Sequence, residues 1–215
     1  MEKEKYQLLR KQKSYIYWRM LRRTNAILDV LDKIIKRDKK YYLLDIGTFD
    51  GFIASAIKKN FNNIICFGLD NSLSDNTFDS IFYIIADALA LPFRKACFDI
   101  VLLPAVIEHI TDTKSVLEQI NRILKNSGYL ILTYPNPFFD YISSKLKDTG
   151  HKKRFTFNVI KNYLVVSGFF ILKFDAFLLF PFPRKEKPSI FERFIRKSFL
   201  KFSLLNRLIL AKKIY

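Results

Sequence analysis

The stretch "YYLLDIGTFDG", Tyr41–Gly51, carries an apolar run broken by one acid into a glycine turn. That is the form of a buried parallel strand ending at a ligand-binding loop. A dinucleotide fingerprint, G-x-G-x-x-G, starting at Gly47 needs glycine at Phe49 and Phe52, so two of its three glycines are missing. Asp50 adds negative charge where a pyrophosphate would meet a helix N-terminus. The loop therefore fits a polyphosphate poorly and has no quarrel with a positively charged ligand.

Downstream, short β-rich runs alternate with helical ones. The strand candidates are "NIICFGLD", "IFYIIAD", "FDIVLLP" and "GYLILTYP", with helices expected near 51–60, 104–109 and 113–126. Gly128 reads as a C-cap region after the helix "TKSVLEQINRILKNSG", restarting the chain as a strand. A helix over 156–167 and strands in "FFILKFDAFLLF" and "RLILAKKIY" complete the pattern. Nearly continuous apolar strands interleaved with helices predict an α/β fold, a parallel sheet covered on both faces. Upstream, Trp18, Leu21, Ile27, Leu28, Leu31 and Ile34 recur at helical spacing, predicting one or two amphipathic helices within 6–37.

The 215 residues suit one such domain with extensions. The expected organisation is a basic helical extension over 1–40, a core over 41–178, a basic amphipathic helical insertion over 179–205 and a last core strand over 206–215. The formal charge of +17 is uneven: residues 1–40 hold 13 Lys/Arg against 5 Asp/Glu, 41–151 hold 9 against 12, and 152–215 hold 15 against 3. Basic flanks around a mildly acidic centre point to an anionic partner, nucleic acid or a membrane surface, although the Lys- and Ile-rich composition also fits an AT-rich coding bias. Cys66 and Cys97 make no disulfide framework and read as small buried hydrophobes. The N-terminus lacks an apolar signal core, and Leu164–Phe182 carries Lys173 and Asp175, so neither a signal peptide nor a membrane span is expected. A cytoplasmic location follows as an expectation.

Three strands end in aspartate: Asp45, Asp70 and Asp87. Ionised carboxylates accept hydrogen bonds and do not donate, so a row of them outside the carboxyl ends of the strands fits a ligand rich in hydroxyl and amine donors.

Taken together, "LLDIGTFDG", "FGLD", "IIADALALPF", "FDIVLLPAVIEHI", "LEQINRILKNSGYLILTYPNP" and "HKKRFTFNVIKNYLVVSGF" resemble, in order and spacing over about 41–170, the class I S-adenosylmethionine-dependent methyltransferases. The likeness is to the type 11 branch acting on small molecules, glycans and lipid precursors. It implies a Rossmann-like, seven-stranded, mostly parallel sheet with strand order 3-2-1-4-5-7-6, and S-adenosylmethionine as cofactor. It also implies that Asp45, Gly47 and Gly51 surround the methionine part of the cofactor and that Asp70 accepts from its ribose. Asp87 and Ala88 would meet the adenine, and Leu103 and Pro104 would line the methionine end. No metal ligands are expected. Phe49 departs from the family's middle glycine, with its ring expected to turn away from the pocket, and the short "NSLSDNTFDS" connection is expected to replace a covering helix with a turn.

His109 and His151 are the candidate bases for a hydroxyl acceptor. Glu108 and His109, the "E-H" after the fourth strand, could instead be a capped helix end or a solvated pair, and a structural role is the alternative for either histidine. O-methylation of a small-molecule, glycan or lipid-linked acceptor is the leading expectation. An RNA methyltransferase, favoured by charge, and a methyltransferase-like binding module without catalysis are the alternatives. In "SIFERFIRKSFLKF", Ile190, Phe191, Phe194, Ile195, Phe199 and Phe202 recur at helical spacing among basic residues. Such a helix either packs on the domain or lies on an anionic membrane, which would place the protein peripherally at the inner membrane surface.

Overall fold

The computed structural model describes residues 15–75, 77–146, 150–177, 195 and 204–214. The long helix α1 (Tyr15–Ile34) precedes β1 (Tyr41–Ile46), α2 (Phe52–Asn60), β2 (Ile64–Asp70), β3 (Phe82–Ile85) and β4 (Phe98–Pro104). A 3-10 turn, Ile107–His109, leads to α3 (Thr113–Ile123), β5 (Leu124–Pro135), α4 (Pro137–Leu146), α5 (Phe157–Val166), β6 (Phe169–Phe177) and β7 (Asn206–Lys213). The strands form one seven-stranded sheet in the order β3-β2-β1-β4-β5-β7-β6. β7 pairs antiparallel with both neighbours and the other pairings are parallel. The order and the mostly parallel character are those expected.

Strand periodicity divides the core. Leu44, Val101 and Leu103 face one apolar cluster with Val116, Ile120 and Ile160 of α3 and α5. Their neighbours Leu43, Ile100 and Leu102 face another, with Ile27 and Leu31 of α1 and Ile53 and Ile57 of α2. Both faces of the central strands are thus covered, which is why those strands read as unbroken apolar runs. Trp18, Ile27 and Leu31 are buried, and with roughly 1.5–3 kcal/mol for each fully buried large apolar side chain, α1 is an integral part of the core.

Three local features differ from the expected pattern. First, α3 stops at Ile123, capped at its start by the Asp112 carboxylate accepting from the Ser115 amide at 3.0 Å. Leu124 already pairs with Phe98, so β5 begins before Gly128. Gly128 does not cap that helix. A Cβ there would lie 2.9 Å from the Lys125 carbonyl oxygen and 3.1 Å from that of Asp99, beside the register shift between Phe98 and Ile100. Second, α4 was not foreseen, although it starts with Pro137 just after Asn136, whose side chain accepts from the Phe138 amide. Third, Cys97 is only half-buried, whereas Cys66 is buried and its thiol pKa is pushed up to about 12 chiefly by that burial.

Between β2 and β3 the described residues contain no helix, as expected. The amphipathic stretch 190–202 lies outside the described residues except Ile195, which is buried in a small cluster with Ala176 and Leu204. No helix among the described residues is long and apolar enough to cross a membrane.

Candidate functional site

The loop after β1 has three left-handed residues at alternate positions: Gly47 (φ 76°), Phe49 (φ 53°) and Gly51 (φ 80°). Phe49 therefore adopts the backbone conformation that glycine would supply without strain. Its amide donates to the Asp70 carboxylate at 2.9 Å, and its carbonyl accepts from the Ser74 amide at 3.1 Å. These bonds tie the loop to the end of β2 and to the connection beyond it. Phe49→Gly is expected to leave thermal stability unchanged or raise it by up to about 1 kcal/mol, since a non-glycine left-handed residue costs of order 1–3 kcal/mol and glycine's added chain entropy offsets part of that. A clear fall in melting temperature would show that the ring's contacts outweigh the backbone strain.

Both glycines let the loop lie against neighbouring elements. A Cβ on Gly47 would meet Val106 Cγ2 at 2.2 Å, and one on Gly51 would meet the Tyr83 hydroxyl at 2.0 Å. That hydroxyl donates to the Asp50 carbonyl and accepts from the Phe78 amide, each at 3.0 Å. Asp50 accepts from the Phe52 amide at 3.0 Å, the helix-terminal role open to it from sequence. Asp45 is buried and accepts from the Thr48 hydroxyl at 3.0 Å.

The other acids lie at the same edge. Asp70 ends β2 and accepts from the Phe49 and Ser72 amides, one on each oxygen. A carboxylate has about four acceptor positions, so Asp70 keeps capacity for further donors. Asp87 is exposed in the turn after β3, accepting from the Leu89 amide, with half-buried Ala88 beside it. Arg122 braces the following connection by donating to the carbonyls of Leu91 and Phe93. Leu103 and Pro104 are buried at the end of β4. Open backbone turns and carboxylates with spare acceptor positions fit a cationic nucleoside with ribose hydroxyls and an adenine amino group. The chemistry of this set of acceptors thus agrees with S-adenosylmethionine.

Val106, seated over Gly47, leads into the 3-10 turn that carries Glu108 and His109. The Glu108 carbonyl accepts from the amides of Lys152 and Lys153 at 2.8 and 3.1 Å, drawing the segment before α5 onto the turn. His109 and His151 thereby meet edge to face, with ring centroids 4.7 Å apart. His109 Nδ1 pairs with the Gly150 carbonyl at 3.0 Å. His151 Nδ1 contacts Oδ1 of Asp140, a buried acid in the first turn of α4 whose other oxygen lies 3.2 Å from Arg154 Nε. Glu108 is buried, which pushes its carboxyl pKa up to about 7; its own backbone amide and the charges of Arg23 and His151 pull the other way.

The structure thus brings the two sequence candidates together and adds Glu108 and Asp140, which carry no catalytic signature in the sequence. Glu108 was visible as the partner in "E-H"; Asp140 sits on the unforeseen helix. The clefts lined by Glu118, Val166 and Ile214 and by Tyr42, Phe67 and Phe98 lie at the opposite, amino-terminal ends of the strands.

A family model described as "Methyltransferase domain" matches residues 44–132. The demethylmenaquinone methyltransferase of Thermotoga maritima is 27% identical over 187 residues, covering 81% of this chain and 72% of that protein. A ubiquinone/menaquinone biosynthesis C-methyltransferase of Wigglesworthia glossinidia brevipalpis is 28% identical over 113 residues, covering 46% of this chain and 45% of the relative. In fold, a putative methyltransferase from Bacillus halodurans aligns with a TM-score of 0.64 at 18% identity, over 87% of this chain and 99% of its own.

Proposed function

As the chain belongs to the class I S-adenosylmethionine-dependent methyltransferases, we propose that it methylates the oxygen of a hydroxyl-bearing, partly apolar small molecule, glycan or lipid-linked acceptor. The observation that carries this reading is the histidine pair beside the β1 loop, one member of which rests on a buried carboxylate. S-adenosylmethionine supplies an electrophilic methyl group on a sulfonium. What the protein adds is alignment, exclusion of water and a place for the acceptor's proton. Asp70 would hold the ribose, Asp87 and Ala88 the adenine, and Asp45, Gly47, Gly51, Leu103 and Pro104 the methionine end.

Asp140 orients the His151 imidazole through Nδ1, and Nε2 would take the hydroxyl proton, with His109 beside it. The helix that carries Asp140 exposes Phe138, Tyr141 and Ile142, a surface suited to an acceptor with an apolar part. A specific observation favours a second reading, methylation at carbon: the two relatives are named for quinone methylation, one of them explicitly as a C-methyltransferase. A phenol that has lost its proton is nucleophilic at ring carbon as well as at oxygen, so the same proton acceptor serves both.

Metabolite and lipid profiling of cells with the active protein and with His151→Ala tests the assignment. A species heavier by one methyl group, present with the active protein alone, is expected, and its methyl resonance separates O-CH3 from C-CH3. No such species, together with no S-adenosylmethionine binding, would overturn the proposal. For the cofactor end, Asp70→Ala is expected to weaken S-adenosylmethionine binding by roughly 10–100-fold in calorimetry, the equivalent of about 1.5–3 kcal/mol for hydrogen bonds to a charged group. Unchanged affinity would remove Asp70 from the cofactor site.

A further inference from the structure

Glu108, His109 and His151 each offer a ligand atom, and the three atoms lie within 4.8 Å of one another. We propose that they bind a divalent transition-metal cation through the Glu108 carboxylate and the Nε2 atoms of both imidazoles.

The outer partners of the histidines favour this assignment. A metal-bound histidine characteristically donates its other ring N–H to a carboxylate or a backbone carbonyl, which fixes the tautomer and aims the free nitrogen at the metal. His151 has such a carboxylate in Asp140, and His109 such a carbonyl in Gly150, both through Nδ1. In each imidazole Nδ1 takes the outer contact, and Nε2 is the atom assigned to the metal.

The third ligand is the buried carboxylate. Glu108 is 2% exposed, and its Oε2 has no hydrogen-bond partner among the described residues. Buried polar oxygens are ordinarily paired. A guanidinium could balance Glu108 without a metal, and Arg23 does exert its charge on it. Arg154, however, is engaged by Asp140, and Arg23 leaves Oε2 without a hydrogen bond.

Two imidazoles and one carboxylate make the donor set of Zn²⁺, Fe²⁺ and similar ions, with positions left open for an exogenous oxygen. Bonds of about 2.0–2.2 Å to such ions require the trio to close by roughly an ångström, a side-chain rotation open to the exposed His109. Sequence spacing did not reveal the set, because His151 lies far along the chain and reaches the turn through the Lys152 and Lys153 amides. The cation would hold and polarise the acceptor's hydroxyl oxygen and so ease loss of its proton to solvent, replacing His151 Nε2 as proton acceptor when the ion is bound, a role that rests on the reading of this cluster as the acceptor end. The site itself does not depend on that role.

Zn²⁺ titrated calorimetrically into untagged, chelator-treated full-length protein is expected to bind at one equivalent with micromolar or tighter affinity. Co²⁺ in its place should give visible absorption bands of a bound ion. Glu108→Gln and His109→Ala should each weaken Zn²⁺ at least about tenfold, and Asp140→Asn by about 10–100-fold through its histidine. S-adenosylmethionine affinity in the same samples verifies that each variant is folded. Zn²⁺ binding that is absent, or equal in wild type and the His109→Ala/His151→Ala double variant, overturns the metal site. If it is overturned and turnover still falls in His151→Ala, the proton-accepting reading stands without a metal. If the ion binds and no ligand variant alters turnover, the metal site stands and the acceptor reading falls.

Discussion

His151→Ala lowers methyl-transfer turnover by about 10²–10⁴-fold, the usual range for loss of a positioned proton-transfer group, while S-adenosylmethionine affinity stays within about twofold. The separation is expected because His151 comes from the segment before α5 and touches Asp140 and His109, whereas the loop after β1 is held by Asp70, Ser74 and Tyr83. Asp140→Asn should reproduce much of the loss, since a neutral amide at that contact can present its NH2 to Nδ1 and favour the wrong tautomer. Single-turnover assays with the acceptor, paired with calorimetry of cofactor binding, measure both. Full turnover in His151→Ala would leave proximity alone to account for the rate.

Gly51→Ala carries the other large effect, and it acts on the cofactor. The new methyl group would fall 2.0 Å from the Tyr83 oxygen while the backbone is held at φ 80°. One or both of the bonds that Tyr83 makes to Asp50 and Phe78 must break. A cost of about 1–3 kcal/mol in stability is expected from the left-handed conformation, with at least a tenfold loss of S-adenosylmethionine affinity. Tyr83→Phe in the same background removes the clashing oxygen and should restore part of both. Should Gly51→Ala bind the cofactor as tightly as wild type, this loop would not be a wall of its site.

The central strands were legible in the sequence because burial on both faces leaves little room for polar residues between Tyr41 and Leu44 or between Ile100 and Leu103. The acids at their ends stood out against that background for the same reason. α4 was harder to see because Phe138, Tyr141 and Ile142 lie on its exposed side, so its apolar residues do not mark a buried face. Asp140 sits on that helix and shares its lack of a sequence signal. The end of α3 is not marked in the sequence, because Lys125, Asn126 and Ser127 prolong a polar pattern, while the pairing of Leu124 with Phe98 is a non-local event that decides the boundary. For Phe49, the sequence presented a missing glycine; the structure replaces that absence with a backbone bond to Asp70, a tertiary compensation that no local pattern records.

The place of β7 between β5 and β6 has a consequence during synthesis. When β6 leaves the ribosome, the strand that will join it to the sheet has not been made, and the open edge of β5 and the new strand both wait for residues 206–213. Exposed strand edges are where nascent chains associate wrongly. The late-arriving strand then closes both edges together, and the Lys213 ammonium, donating to the Asn121 and Leu124 carbonyls at 2.7 and 2.9 Å, fastens it to the half of the sheet that was already built.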